Sequence, residues 1–263
     1  MKSKKYKAKK RKFKTPLYFV HGAWHDKWCW EENFIPFFTN LGFDVYAITL
    51  PGHDLDKNNR KINLYSIADF AKALEMELNQ IPETPALIGH SMGGLVVQKF
   101  LEKNPAKAYV LLASVPPSGA LHAIIRYFKK FPWPYLKGVI TFNLYELVRD
   151  FKISQFLFFS HNTPDKKLEK YHGKLGNESL LAFLCMMFSG MVKKNYQMEI
   201  PGLAIAGEKD NIFSIAEQKE IMDYYKIPLK IIPDSSHDIM LDPQWETAAR
   251  LIFDWMKKEI KKL

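Results

Sequence analysis

Short apolar runs alternate with amphipathic stretches over most of this chain. Leu17 to Val20, Asp44 to Thr49, Ala86 to Ile88, Ala108 to Ala113, Gly202 to Ala206 and Leu229 to Ile232 each read as a strand, being brief, largely apolar and bounded by turn residues. The stretches between them carry a helical period. In Ser66 to Gln80, Ile67, Ala71, Leu74 and Leu78 share one face, and Pro82 and Pro85 close the segment. Helices are likewise expected over Glu31 to Asn40, from Leu95 onward, over Ser214 to Tyr225 and over Gln244 to Ile260. Strands that are apolar on both faces need cover on both. The alternation therefore predicts an α/β fold with a mostly parallel central sheet and helices on either side.

The rhythm breaks at Ser114-Val-Pro-Pro-Ser-Gly119. From there to about Glu199, His122 to Phe131, Tyr145 to Ser160 and Ser179 to Met191 read as aromatic-rich helices, interrupted by Pro132, Pro134 and a Thr163-Pro-Asp turn. This segment is expected to be a helical cap inserted into one core. The organisation that follows is a basic, disordered tail over 1–15, a core over 16–113 and 200–263, and the cap over 114–199. Residues 54 to 64 are polar and basic and read as a surface loop. No apolar run reaches the length needed to span a membrane.

The chemistry centres on Gly89-His-Ser91-Met-Gly93, which ends an apolar run and opens a helix, the setting a G-x-S-x-G elbow requires. A serine in so tight a turn needs neighbours without side chains. At a helix N-terminus, negative charge developing on its substrate would meet backbone N–H groups. A serine hydroxyl also needs a base, held in turn by an acid. Asp210 and His237 each follow a strand, and the order Ser91, Asp210, His237 is serine, acid, histidine. Glu208, Asp234 and Asp238 are rival acids, but Asp210 stands farther into the loop after its strand. The N–H groups of Ala23 and Met92 are the expected oxyanion hole. His21 is expected to shape the first loop, and His90 to be a packing residue.

These motifs resemble the α/β-hydrolase superfamily from about residue 16 to the C-terminus, and within it the small esterase branch that includes plant methylesterases and hydroxynitrile lyases. The resemblance rests on His21-Gly-Ala-Trp24, Trp28-Cys-Trp30, Gly89-His-Ser91-Met-Gly-Gly94, Gly207-Glu-Lys-Asp210 and Ser236-His237-Asp238. The segment from His237 to Trp245 is also similar to bacterial lipase-like and lysophospholipase-like hydrolases. It implies hydrolysis of a carboxylic ester through an acyl-enzyme. Lyases of this branch carry threonine after the first-loop histidine and lysine after the catalytic one. Gly22 and Asp238 stand there instead, which argues against cyanohydrin cleavage, and a serine at 91 argues against a dehalogenase, whose nucleophile is aspartate.

The aromatic share of 14% is high, and the cap holds Phe128, Phe131, Trp133, Tyr135, Phe142, Phe156, Phe158 and Phe159. That density points to a small or medium apolar ester and away from sugars. Trp24, Trp28, His21, Phe128, Trp133 and Phe159 are the expected substrate-binding side chains. Lysophospholipase, monoacylglycerol lipase or thioesterase activity is the nearest alternative, and a noncatalytic small-ligand receptor is the alternative of a different class. Lys129, Lys130 and Lys137 read as a solvated charge run. The reaction needs water alone. No histidine and carboxylate spacing fits a metal site and no glycine-rich loop fits a nucleotide, so neither metal nor cofactor is expected.

A net charge of +10 suggests nucleic acid until it is located: residues 2–14 hold nine basic side chains and no acid. Such a tail is expected to be disordered by self-repulsion and to make at most weak electrostatic contact with an anionic membrane or nucleic acid. It makes a poor signal peptide, since the apolar run after it is short and lacks a cleavage site. Cys29 and Cys185 are isolated and flanked by apolar residues, which suits a reducing compartment and leads to the expectation of a cytoplasmic location. Homodimerisation stays open.

Overall fold

The computed structural model describes residues 3–54, 60–187, 192–193 and 199–260. Part of the expected surface loop (55–59) and the end of the last expected cap helix (188–191) lie outside the described residues. Among the described residues, seven strands form one sheet: β1 (Lys4–Tyr6), β2 (Leu17–Val20), β3 (Val45–Ala47), β4 (Ala86–His90), β5 (Ala108–Leu112), β6 (Gly202–Gly207) and β7 (Leu229–Ile232), in the order β1-β3-β2-β4-β5-β6-β7. Every pairing is parallel except β1 with β3. The apolar runs explain this arrangement, since β2, β4, β5 and β6 are buried at every position.

The chain steps outward from β2 to β3, then returns across β2 to start β4 on its other side. Neighbouring β2 and β4 thus continue in opposite directions, and the crevice beyond their carboxyl ends is a topological switch point where such sheets bind ligands. The loops carrying Ala23, Ser91, Asp210 and His237 follow β2, β4, β6 and β7, all at that end.

The helices form where spacing and caps agree. Ile67–Leu78 starts at a capping box in which Ser66 and Asp69 satisfy each other's backbone N–H, and Ile215–Tyr225 repeats the device with Ser214 and Glu217. The expected helix over Glu31 to Asn40 is two, Trp28–Glu31 and Phe34–Leu41. Between β5 and β6 the helices Leu121–Lys130, Pro132–Ile140, Phe151–Phe158, Asp165–Lys174 and Leu180–Met186 occupy the segment expected to be helical.

The basic segment differs from expectation. Its residues from Ser3 onward are ordered, with β1 paired to β3, so it is no disordered tail. Acids of the core meet its cations: Lys4 bonds Glu31 at 3.0 Å, Lys5 pairs with Asp44 at 3.2 Å and Arg11 with Glu83 at 2.7 Å. The Ser3 N–H also donates to Glu77 at 2.9 Å, and the Ala8 N–H to Asp44 at 2.9 Å. Self-repulsion governs the segment only while those acids are left out of account.

Candidate active site

Ser91 stands between β4 and the helix Met92–Leu101 with φ 52° and ψ −119°, a conformation that costs a non-glycine residue on the order of 1–3 kcal/mol. Its surroundings hold it there. The Ser91 N–H donates to Leu112 of β5 at 3.0 Å, and its carbonyl accepts from Gly94 at 3.0 Å and Val115 at 3.2 Å. A side chain at Gly89 would press into the backbone of Gly93 and Gly94, and one at Gly93 would overlap the carbonyl oxygens of Val20 and His21. The small residues of the motif therefore let helix, strand and first loop converge on the serine.

Asp210 and His237 are brought together. His237 donates from Nδ1 to Asp210 Oδ2 at 2.8 Å, with both side chains about 1% exposed. The other carboxylate oxygen of Asp210 accepts the N–H groups of Ile212 at 2.7 Å and Phe213 at 3.0 Å, which fixes its orientation. The two loops are tied together by the Lys209 N–H, which donates to Ser235 at 2.8 Å. Among the rivals, Glu208 accepts from the Asp234 N–H, and Asp238 is engaged with His25.

Ser91 opens into a cavity of about 300 Å³ that it shares with Ala23, Trp24 and Phe213. The Phe213 ring lies 5.7 Å from that of His237, so one wall of the cavity packs against the histidine. The remaining walls are largely apolar and come from the segment between β5 and β6: Ala123, Ile124 and Tyr127 of the helix Leu121–Lys130, Phe131 just past its end, then Leu147, Phe156, Leu157, Phe183 and Met186. The polar side chains in the lining are already partnered. Asn211 donates to the Phe156 carbonyl at 2.7 Å, Arg126 bonds Glu217 at 2.6 Å, and Lys130 lies 3.8 Å above the Phe156 ring.

A family model for the alpha/beta hydrolase family matches residues 17–249. The chain belongs to the alpha/beta hydrolase family. Within it, the chain is related to plant methylesterases and bacterial esterases. It is 31% identical over 101 residues to methylesterase 2 of Arabidopsis thaliana, a match covering 38% of each chain. With the pimeloyl-[acyl-carrier protein] methyl ester esterase of Wigglesworthia glossinidia brevipalpis it shares 27% over 232 residues, covering 82% of this chain and 78% of that one. The match therefore spans well under half the length of the plant relative. Among solved structures, MenH from S. aureus superposes with a TM-score of 0.74 at 20% identity, covering 99% of this chain and 100% of that one, which shows a shared fold.

The first loop of this chain is built from buried hydrogen bonds. His21 donates from Nδ1 to the Gly22 carbonyl at 2.9 Å and accepts the Leu50 N–H on Nε2 at 3.0 Å, a neutral ring. Burial, helped by the nearby His53, holds its pKa well below the ordinary histidine value. His90 is likewise pushed down, to about 3, by burial and by His237. Trp24, itself at φ 62°, anchors the cap: its indole donates to Leu144 at 2.9 Å, its carbonyl accepts from Gly176 at 2.8 Å, and its N–H donates to buried Glu178 at 3.2 Å. Glu178 also meets His53 at 3.0 Å. Burial disfavours the His53 cation, but the Glu178 carboxylate outweighs it and raises the pKa.

Of the six side chains expected around the substrate, Trp24 lines the cavity and the other five are placed elsewhere. His21 lies beneath the loop. Trp28 stacks on His25 and Tyr171, and Phe159 packs on Tyr171. Phe128 is 41% exposed and leans on Tyr135, while Trp133 is 78% exposed. Aromatic density does not say which side of a helix faces inward. The spacing of Ala120, Ala123, Ile124, Tyr127 and Phe131 does, since it marks one apolar stripe, and these are cavity residues.

Proposed function

We propose that this protein is a serine carboxylic-ester hydrolase that cleaves small or medium apolar esters through an acyl-enzyme. The observation that carries the reading is the strained Ser91 opening into an apolar cavity whose Phe213 wall packs on a histidine already held by Asp210. With Nδ1 donating to Asp210, His237 has Nε2 available to take the Ser91 proton, and Asp210 stabilises the imidazolium so formed. Attack on the ester carbonyl gives a tetrahedral oxyanion. The Met92 N–H, in the first turn of its helix and so without an intrahelical acceptor, and the Ala23 N–H are assigned to hold it. Collapse expels the alcohol, which takes the proton from His237. Water, deprotonated by His237, then releases the acid and restores Ser91.

The apolar cap walls, with their few polar groups engaged, suit the acyl part. The names of the methylesterase and methyl ester esterase relatives support a small alcohol part. Gly22 counts against lyase chemistry in space as well as in sequence, since a side chain there would lie within 3.0 Å of both His90 and Ser91. Rates on p-nitrophenyl esters of graded chain length, for wild type and Ser91→Ala, test the reading. Turnover that falls off beyond medium chains and vanishes in Ser91→Ala supports it; a folded wild type with no Ser91-dependent turnover on any ester leaves the noncatalytic receptor in its place.

Two peripheral readings belong here. Weak contact of the basic segment with an anionic membrane or nucleic acid would rest on cations such as Lys7, Lys9 and Lys10, and replacing these by glutamine should abolish any salt-sensitive binding. A cytoplasmic location rests on the two free thiols, Cys29 and Cys185. Among the described residues, no helix is long and apolar enough to cross a membrane.

A further inference from the structure

Two buried side chains beside the candidate catalytic residues have no part in the mechanism above. His25 lies in the first loop and Asp238 directly follows His237; the side chains are 1% and 0% exposed, and His25 Nε2 is 2.9 Å from Asp238 Oδ2. His25 Nδ1 lies 2.8 Å from the Ala23 carbonyl oxygen. A carbonyl only accepts, so Nδ1 carries a proton, and a carboxylate facing Nε2 calls for a second. The geometry is that of an imidazolium paired with an ionised aspartate. Burial opposes both charges, but their mutual attraction outweighs it, raising the pKa of His25 and lowering that of Asp238.

The pair reaches three parts of the site. Through Ala23 it holds the proposed oxyanion loop. Through Asp238, whose N–H donates to the Phe158 carbonyl at 2.9 Å, it meets the cap. The second carboxylate oxygen, Oδ1, is buried without a hydrogen-bond partner among the described residues and lies 3.7 Å from His90 Nε2. His90 Nε2 in turn donates to the His237 carbonyl at 3.1 Å, and a ring nitrogen of His90, one of His237 and a carboxylate oxygen of Asp238 all lie within 4.8 Å of one another. Other titratable groups bear on the cluster: Asp210, bonded to His237, Glu178 of the cap segment, and the buried His21, Cys29 and Tyr171.

We propose that His25 and Asp238 form a buried ion pair that positions the catalytic centre, locking the Ala23 loop to the His237 loop and setting the field in which His237 takes its proton. The proposal rests on the ester-hydrolase reading. Neither side chain lines the cavity, so both are positioning residues. Desolvating two charges is costly, and a pair that served only to fill space would be replaceable by apolar groups. What apolar groups cannot supply is a donor to the Ala23 carbonyl together with an anion beside His237. In the intact pair the two charges offset each other. Removing His25 leaves an anion beside His237 that favours its imidazolium; removing Asp238 leaves His25 to burial, which drives it to its neutral form and brings no unpaired charge to His237.

The test is the pH dependence of kcat/KM for wild type, His25→Gln, Asp238→Asn and the double variant. In His25→Gln the acid limb should move to higher pH by about half a unit or more, and in Asp238→Asn it should stay within about 0.2 units of wild type. The double variant should return the limb near its wild-type position. In all three, kcat should fall by roughly 10²-fold with KM little changed, because a displaced oxyanion loop is felt in the transition state. A limb in His25→Gln that coincides with wild type, or one that Asp238→Asn moves upward by as much, would overturn the proposal. If the single variants do not fold, the double variant carries the decision, and wild-type kcat in it overturns the proposal. Should wild type turn over no ester, the ester reading fails by itself. NMR titration of the His237 ring in the same proteins then decides the pair: an upward shift in His25→Gln that the double variant reverses supports it, identical titration in every form overturns it.

Discussion

The backbone at Ser91 is where local strain and chemistry meet. Its positive φ is held by bonds from β5, the following helix and Val115, so the hydroxyl is presented by a frame that costs nothing further when a substrate arrives. Asp210 holds His237 with one oxygen while its other oxygen is fixed by two backbone N–H groups. Asp210→Asn should therefore keep the fold and reduce kcat by about 10⁴-fold through loss of the correct tautomer and of charge stabilisation; steady-state kinetics alongside a thermal melt checks both halves. Gly22→Thr should lose stability by about 1–3 kcal/mol as well as activity, because the new side chain has no space beside His90 and Ser91, and urea denaturation reads the cost directly. These residues could be read from the chain because each stands just past an apolar run. His25 with Asp238 and His53 with Glu178 could not, since their partners are distant in sequence and only the fold supplies the contact.

At the scale of elements, the first loop and the cap act as one unit through Trp24 and Glu178. Glu178→Ala would leave His53 and the Trp24 N–H without their carboxylate and should destabilise the protein by about 3–5 kcal/mol, with faster amide exchange at Trp24 as the local sign. The helix Leu121–Lys130 lines the cavity with Ala123, Ile124 and Tyr127. Ile124→Trp should shorten the longest ester accepted, and Tyr127→Ala should lengthen it, as a chain-length series would show. β1 was hidden because its residues read as charge, and the acids that pair with it lie on other elements. The cap's aromatics were visible as a class, while their orientation was carried by helical spacing in residues that are not themselves conspicuous.

For the molecule as a whole, buried histidines make stability depend on pH from both sides. His90, pushed down to about 3, and His21, held well below the ordinary value, stay neutral when folded but take up protons when unfolded below about pH 6.5. Their contribution is lost as pH falls from about 6.5 toward 3, at most about 1.4 kcal/mol per pH unit for each proton. Asp238, lowered by pairing, works in the same direction, its contribution being lost as pH falls from about 4 through its folded value. His25 and His53, raised by their carboxylates, contribute fully below about 6.5 and lose that contribution as pH rises through their folded values. Urea midpoints should thus climb from pH 4 to about 6.5 and decline above it; a flat profile over that range would contradict the buried charges described. The alternating sheet architecture could be read from the apolar runs, because burial on both faces leaves a continuous signature, whereas the ordering of the basic segment depends on tertiary charge.

The central claim is that Ser91 is a nucleophile activated by His237. Intact mass and peptide mapping after treatment with a fluorophosphonate tests it most directly. One adduct on Ser91, absent in Ser91→Ala and formed at least about 10²-fold more slowly in His237→Ala, is the predicted result. No adduct on the folded wild type, or one of equal extent in Ser91→Ala, would contradict it.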